Sequence, residues 1–145
     1  MTRTGNRNFA RVAHDGIIFD SKLEFERYVF LKDQQKVGMI RHLKVHTKHR
    51  LELNDRPLLI RSHGYPNGRR STWTDDFSYE VREESGTWSK IIEDVKGRDT
   101  YQERFKRGVF EMLTGQQIVV VTSSTESPRR TLPARGRKRS AIGNT

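Results

Sequence analysis

The chain has 145 residues, the length of one ordinary compact domain, so a single folded domain is expected. Lysine and arginine number 28 against 18 aspartate and glutamate, and the formal net charge of +10 favours a polyanionic partner, nucleic acid ahead of a membrane surface. The absence of cysteine excludes disulfides, thiolate zinc sites and cysteine nucleophiles, and no stretch approaches the roughly 18 apolar residues of a membrane span.

The two ends of the chain are polar and basic. Residues 1–13 carry Arg3, Arg7 and Arg11 among polar residues, which predicts a flexible basic arm. They hold no apolar run of a secretory signal, and together with the lack of cysteine this predicts a cytoplasmic protein. Residues 14–124 are the expected folded domain, and residues 125–145 predict a disordered basic tail.

A first helix is predicted over about residues 21–37. Ser21 with Glu24 three residues later is typical of a helix N-terminus, and Gly38 ends the apolar periodicity. The predicted buried stripe consists of Phe25, Tyr28 and Val29.

The segment after this helix is less regular. Apolar residues between positions 40 and 53 alternate with polar ones, which predicts one or two half-exposed strands. Residues 54–71 contain two prolines, two glycines and four arginines, and this composition predicts a long loop with room for a short strand at 58–60.

Two strands and a turn are predicted next. From Trp73 to Val81 aromatic and polar residues alternate, so Asp76 is expected on the face away from the aromatic side chains. Residues 83–87 have the chemistry of a hairpin turn, and a second strand over 88–96 places Asp94 and Lys96 on one face with Ile92.

A second helix and a last strand complete the predicted fold. Thr100 with Glu103 begins the helix and Gly115 ends it. Its predicted apolar stripe consists of Phe105, Val109, Met112 and Leu113. The apolar strand 118–121 follows at once, so the last two strands should lie parallel, with the helix packed across a mixed sheet of an α/β fold.

Four residues predict a catalytic site. Asp76 and Asp94 can converge at one end of the hairpin, where carboxylate oxygens suit Mg²⁺, the ion that phosphodiester hydrolysis commonly uses. Lys96, two residues after Asp94, shares its face and can steady the attacking water or the phosphoryl group. Glu24 can add a third carboxylate to the metal site. Mn²⁺ is expected to substitute for Mg²⁺.

These residues resemble the PD-(D/E)XK nuclease superfamily, with Asp75-Asp76-Phe77 and Asp94-Val95-Lys96 as the matching motifs. Together with residues 19–24 and 118–124, they look like phage-encoded members, including Holliday junction resolvases of the endonuclease I type. The resemblance covers roughly residues 17–124. It implies a mixed sheet flanked by helices, dependence on a divalent metal, a homodimer acting on branched DNA, and the host cytoplasm as location.

This sequence departs from the pattern of the PD-(D/E)XK family in two places. The acid of the last motif is Asp94, where such resolvases more often have glutamate, and the adjacent Glu93 leaves two possible registers, of which strand alternation favours Asp94. The arginine-rich loop 54–71 is also longer than expected.

Several residues have alternative interpretations. Glu24 fits a capping box without catalysis, and Asp94 with Lys96 fits an exposed ion pair. His46 and His49 are interpreted as surface or DNA-facing residues, because their spacing fits no familiar zinc site. No phosphate-loop motif is present, so no nucleotide cofactor is expected. Candidate contacts to DNA phosphates are Arg69, Arg70, Arg104, Lys106 and Arg107.

The sequence therefore predicts a Mg²⁺-dependent DNA endonuclease selective for branched DNA. One alternative keeps the chemistry in a site-specific or unspecific DNase. The other is a basic nucleic-acid-binding protein without catalysis.

Overall fold

Between residues 11 and 128, the architecture is a central mixed β-sheet with a helix on each face, accompanied by four two-stranded sheets. It is given by a computed structural model, which describes residues 11–128. The helices are α1 (Lys22–Lys36) and α2 (Tyr101–Thr114). The strands are β1 (Val12–His14), β2 (Ile17–Phe19), β3 (Ile40–Val45), β4 (Lys48–Arg50), β5 (Glu52–Leu53), β6 (Arg56–Pro57), β7 (Leu59–Ser62), β8 (Tyr65–Arg70), β9 (Thr72–Thr74), β10 (Phe77–Arg82), β11 (Trp88–Val95) and β12 (Val119–Val121). Within this part of the chain, no helix is both long and apolar enough to cross a membrane.

The central sheet has the strand order β12-β11-β10-β3. Strands β10 and β11 form an antiparallel hairpin, and the amide of Glu83 donates to the carbonyl of Thr87 at 2.8 Å in its turn. Strand β12 runs parallel to β11. Parallel neighbours need a crossover connection, and α2 supplies it. The predicted hairpin, the crossover unit and the mixed α/β class are confirmed.

Helix α1 begins and ends where the sequence predicts, but its buried face differs. Val29 is 42% exposed, whereas Arg27 is fully buried. Arg27 donates to the carboxylate of Glu93 through Nε at 2.8 Å and through Nη2 at 2.6 Å. A buried ion pair therefore lies under the helix, where the apolar periodicity predicted the side chain of Val29.

Helix α2 also has the predicted ends, with a reciprocal capping box at Thr100 and Glu103 and a left-handed Gly115. Its predicted stripe is partly wrong, because Phe105 is 61% and Met112 is 76% exposed. The buried residues of this helix are Arg107 and Phe110.

The two helices pack on opposite faces of the sheet and define two apolar clusters. The cluster under α1 includes Tyr28, Leu31, Phe77, Tyr79 and Val95. The cluster under α2 consists of Leu51, Trp73, Ile92, Phe110 and Ile118. Neighbouring residues of β11 thus contribute to different clusters, as strand alternation requires.

The prediction of a long loop over residues 54–71 is wrong. Strands β7 and β8 form an antiparallel hairpin with Ser62 opposite Tyr65, so His63 and Gly64 make a two-residue turn. Two-residue turns are common in hairpins, and Gly64 is a residue such turns favour. Prolines are tolerated here because both strands of a two-stranded ribbon have a free edge.

The predicted strand 73–81 is interrupted. Strand β9 ends at Thr74 and pairs with β4, whereas β10 begins at Phe77 and pairs with β3 and β11. Asp75 and Asp76 lie in the break between them. The described structure also extends past the expected domain limits, since β1 begins at Val12 and the carbonyl of Glu126 accepts a hydrogen bond from Arg27. The rest of the expected arm and tail lies outside the described residues.

Candidate active site

Asp76 is held against strand β11 by the backbone. The amide of Asp76 donates to the carbonyl of Glu93 at 3.1 Å, and the amide of Val95 donates to Oδ2 of Asp76 at 2.6 Å. The side chain of Asp76 therefore lies beside the end of β11 that carries Asp94. Asp76 lies just before β10, and its backbone is bonded to both neighbouring strands, since its carbonyl accepts the amide of His46 at 3.2 Å.

Asp94 and Lys96 project from the same face of β11. Lys96 Nζ lies 3.2 Å from Asp94 Oδ1 and 3.4 Å from Glu103 Oε1, so the ammonium is held between two carboxylates. Burial opposes its charged form, but the carboxylates of Asp94, Asp76 and Glu103 outweigh that effect and raise the pKa of Lys96. The side chain is therefore a cation across the physiological pH range. The adjacent Glu93 points to the opposite face, which agrees with the register favoured by strand alternation.

Glu24 reaches the same region from the first turn of α1. Its carboxylate is buried and contacts Nε2 of His46, and its Oε2 accepts the amide of Asp20 at 3.3 Å. Ser21 caps the helix by accepting the backbone amide of Glu24, so this cap does not use the Glu24 carboxylate. The side chain of Glu24 is thus available to the site rather than being consumed by a capping box.

Three ligand-type side chains converge at this point. One ligand-type atom from each of Glu24, His46 and Asp76 lies within 4.8 Å of the other two. Glu24 pairs with His46, and Asp94 pairs with Lys96 and Arg107, whereas Asp76 has no ion pair with any residue between positions 11 and 128.

This crowding changes the acidity of the carboxyl groups. Burial, reinforced by the neighbouring carboxylates of Glu24 and Asp94, raises the pKa of Asp76 to about 9. Burial also raises the pKa of Glu24, although His46 opposes the shift. Three carboxylates close together repel one another unless a cation or a proton compensates them. The carboxylate oxygens of this set fit Mg²⁺ or Mn²⁺, whereas its one imidazole is a ligand that transition metals accept more readily than Mg²⁺ does.

The site opens into a cleft of about 640 Å³. Its lining includes His46, Thr72, Trp73, Asp76, Asp94, Lys96, Glu103 and Lys106. The cleft is wide and open to solvent, and it brings together three of the four predicted catalytic residues, with Glu24 buried beside them.

His46 and His49 have acidic partners that the sequence did not predict. Strand β3 pairs with β10, so the amide of His46 donates to the carbonyl of Asp76 at 3.2 Å and its ring meets Glu24. His49 Nε2 lies 2.8 Å from Asp75 Oδ2, and its ring stacks on Trp73. Neither is a plain surface residue. The pairing of β3 with β10 would have indicated His46, but no local signal in the sequence gives that pairing.

The candidate phosphate contacts on α2 separate into two groups. Arg107 is buried, and its Nη1 and Nη2 donate to Asp94 and Asp99 at 2.8 and 2.7 Å. The prediction that Arg107 contacts DNA phosphate is therefore not supported by its position, because it is buried and orients Asp94 instead. Arg104 and Lys106 are exposed, and Lys106 lies on the cleft wall.

The other two candidates, Arg69 and Arg70, are exposed on strand β8. The cleft lining does not include them, but strand β9, which follows almost directly, contributes all three of its residues to the cleft.

Comparisons with known proteins give one finding. A family model described as a protein of unknown function, DUF1064, matches residues 6–126, which include every element and side chain of the site. No curated protein and no solved structure matches the chain significantly. The extent of the match shows that the chain belongs to the DUF1064 family.

Proposed function

We propose that this protein is a DNA endonuclease of the PD-(D/E)XK type that depends on Mg²⁺, with Mn²⁺ able to substitute. The observation that carries the proposal is the meeting of Asp76, Asp94 and Lys96 in one open cleft, with the carboxylate of Glu24 adjoining Asp76. These residues come from a helix, a strand break and a strand, so their meeting is a product of the fold rather than of sequence proximity.

The arrangement of elements supports the proposal. The acid-bearing helix α1 precedes the β10–β11 hairpin, and β11 is followed by α2 and the parallel strand β12. This is the order that the resemblance to PD-(D/E)XK nucleases implies. The side chains of Asp94 and Lys96 share the cleft, while Val95 between them packs in the cluster under α1.

The donor set indicates which residues would hold the metal. Glu24 and Asp76 are two of the expected carboxylate ligands, and they form one group with His46, a donor that the sequence did not predict. Asp94, which lies in the same cleft beside Asp76, is the third expected carboxylate ligand. When bound, the ion supplies charge neutralisation at the phosphoryl group and activates a water nucleophile.

Lys96 supplies the site with a cation that belongs to the protein itself. Lys96 is protonated and fixed by Asp94 and Glu103, so its ammonium can donate a hydrogen bond to a phosphoryl oxygen or to the attacking water. Arg107 holds Asp94 from the other side and keeps its carboxylate in one orientation. An orientation fixed before substrate binds avoids reorganisation during the reaction.

The substrate class follows from charge and from the openness of the cleft. A net charge of +10 favours a polyanion, and Lys106 places one more cation on the cleft wall. Branched DNA and a homodimer are proposed on the resemblance to phage resolvases. Cleavage of a labelled four-way junction should then be faster than cleavage of linear duplexes with the same arms, and equal rates would favour an unspecific DNase of the same fold.

The competing class is a basic nucleic-acid-binding protein without catalysis. Nicking of a supercoiled plasmid by the full chain, with Mg²⁺, Mn²⁺ or EDTA, separates the two. The nuclease proposal expects nicked circles in either metal and none in EDTA. Binding to the plasmid without any metal-dependent nick would support the binding protein instead.

A further inference from the structure

The β7–β8 hairpin is a basic ribbon that the catalytic proposal does not use. The segment from Arg56 to Thr74 contains four arginines and no aspartate or glutamate. All four arginines, at positions 56, 61, 69 and 70, are exposed. A chain with this local charge is suited to a polyanion.

The four arginines of this segment form no ion pair with an acidic residue, a property that they share with Arg50, Arg82, Arg98 and Arg104 among the described arginines. Arg11, Arg27, Arg41 and Arg107 each pair with a carboxylate. Between positions 11 and 128, no carboxylate forms an ion pair with any of the four arginines of the segment, and the guanidinium of Arg69 instead lies 5.1 Å from the centre of the Tyr65 ring. Arginines without acidic partners can engage phosphate without first breaking an internal ion pair.

The ribbon has the dimensions of a groove-binding element. The six residues of β8 span about 20 Å at about 3.3 Å per residue. That length matches about six base pairs at roughly 3.4 Å each. The major groove of B-form DNA is about 12 Å wide and admits a two-stranded β-ribbon. Arg69 and Arg70 are successive strand residues and project to opposite faces, as contacts to both walls of a groove require.

The base of the ribbon is anchored next to the candidate active site. The amide of Leu58 donates to the carbonyl of Leu51 at 2.8 Å, and the amide of Ser71 donates to the carbonyl of Leu58 at 3.0 Å. Leu51 is buried in the cluster under α2. Immediately after Ser71, the residues Thr72–Thr74 line the cleft that holds Asp76. The ribbon is thus attached to the cleft by a fixed strand rather than by a flexible linker.

We propose that the β7–β8 hairpin is a binding arm that lies in the major groove of duplex DNA beside the cleft. The inference rests on the proposed function only in taking DNA as the partner. Double-stranded RNA fits less well, because its major groove is deep and narrow. Another protein is disfavoured as the partner by the excess of arginine over acid on the ribbon.

The test measures binding without cleavage. The full chain is titrated against a 30-base-pair duplex in Ca²⁺, by fluorescence anisotropy over a series of salt concentrations. The variant Arg61→Ala/Arg69→Ala/Arg70→Ala removes three ribbon charges. The control Lys36→Ala/Arg82→Ala/Lys90→Ala removes three exposed charges elsewhere, none of which lines the candidate cleft. Thermal melts verify that both variants are folded.

The ribbon variant should weaken binding by roughly two orders of magnitude at 0.1 M salt and reduce the slope of log affinity against log salt by about 2.7, or about 0.9 for each lost contact. The control should resemble the wild type. Equal behaviour of the two variants would overturn the proposal, as would equal affinity of the wild type for duplex RNA. Because no cleavage is measured, a protein that binds in this way but never cuts would refute the nuclease proposal and leave the arm standing.

A second variant tests geometry without changing charge. Gly68 has φ +90°, and a Cβ added there would lie 2.8 Å from Cβ of Leu59 on the paired strand. Gly68→Val should therefore distort the ribbon and weaken duplex binding at least tenfold. Full affinity in a folded Gly68→Val protein would contradict a role for the shaped ribbon.

Discussion

Glu93 and Asp94 are neighbours on strand β11, yet their carboxylates serve opposite sides of the sheet. Glu93 accepts two hydrogen bonds from Arg27 and one from Tyr79 in the buried layer under α1. Asp94 faces the cleft, between Lys96 and Arg107. One residue thus holds the fold together while the next is placed for chemistry.

This division predicts opposite effects of substitution. Glu93→Ala leaves Arg27 as an unpaired buried charge and should cost about 3–5 kcal/mol of unfolding free energy. Asp94→Asn keeps the side-chain volume, leaves Arg107 with Asp99 and Lys96 with Glu103, and relieves repulsion with Asp76, so it should cost clearly less unfolding free energy than Glu93→Ala. Urea unfolding followed by tryptophan fluorescence measures both, and similar losses in the two variants would contradict the assignment.

Asp76 should make the metal-free protein less stable as pH rises. Its pKa is raised from 3.8 to about 9, so the folded state keeps a proton that the unfolded chain releases near pH 4. The contribution of Asp76 to the free energy of unfolding is therefore largest below about pH 4, falls as the pH rises from 4 to 9, and is constant above pH 9. Asp76→Asn mimics the protonated acid and should flatten this slope in EDTA, raising the Tm at pH 8 by several degrees relative to the wild type. If the stability of the wild type and of the variant depended on pH with the same slope, the raised pKa of Asp76 would be contradicted.

The raised pKa of Asp76 also predicts how the affinity for a divalent metal depends on pH. A divalent ion must displace the proton, so its affinity should increase with pH up to about pH 9. Titration calorimetry with Mn²⁺ in buffers of different ionisation enthalpy should detect proton release. Binding without proton release between pH 6 and 8 would contradict the shifted acidity.

His46 should give the site a preference for metals that accept nitrogen ligands. Imidazole suits Co²⁺ better than Mg²⁺, whereas carboxylates alone suit Mg²⁺. His46→Ala should therefore weaken Co²⁺ binding by about 10- to 100-fold and Mg²⁺ binding by less. Cobalt absorption spectra and calorimetry measure this, with the exposed His63→Ala as the matched control. An unchanged Co²⁺ affinity in His46→Ala would show that His46 is no ligand.

Glu24→Gln separates the helix cap from the chemistry. The cap uses the backbone amide of Glu24 with Ser21, and glutamine can still accept the amide of Asp20. The variant should melt within a few degrees of the wild type and nick plasmid DNA at least about tenfold more slowly. Undiminished nicking would remove Glu24 from the site, whereas a collapsed melting temperature would identify its role as structural.

Local signals predicted the parts of the fold that depend on local chemistry. The caps at Ser21 and Thr100 and the alternation around Asp94 fix two helices and a strand without reference to distant residues. The β7–β8 hairpin was missed because its turn is weaker than a consensus hairpin turn and prolines suggest a loop. Its exposed strands bury little, so hydrophobic patterning carried no information there.

The missed side chains depend on long-range pairing. His46 contacts Glu24 and Asp76 only because β3 lies beside β10. Arg27 is buried only because Glu93 on β11 accepts its hydrogen bonds. Likewise, Arg107 is buried because it donates hydrogen bonds to Asp94 and Asp99. A cation is therefore buried on α2, whereas the apolar periodicity predicted that Phe105 would be buried there. Composition and spacing within one element cannot reveal such partners.

The most direct test of the site is plasmid nicking by Lys96→Ala and Asp94→Asn in Mg²⁺, beside the exposed control Asp33→Asn. Both site variants should lose about 10²- to 10⁴-fold in rate while binding DNA in Ca²⁺ within about threefold of the wild type. The control should cut normally. Wild-type rates in either site variant, with the same metal dependence, would contradict the assembly of Asp76, Asp94, Lys96 and Glu24 as a nuclease site.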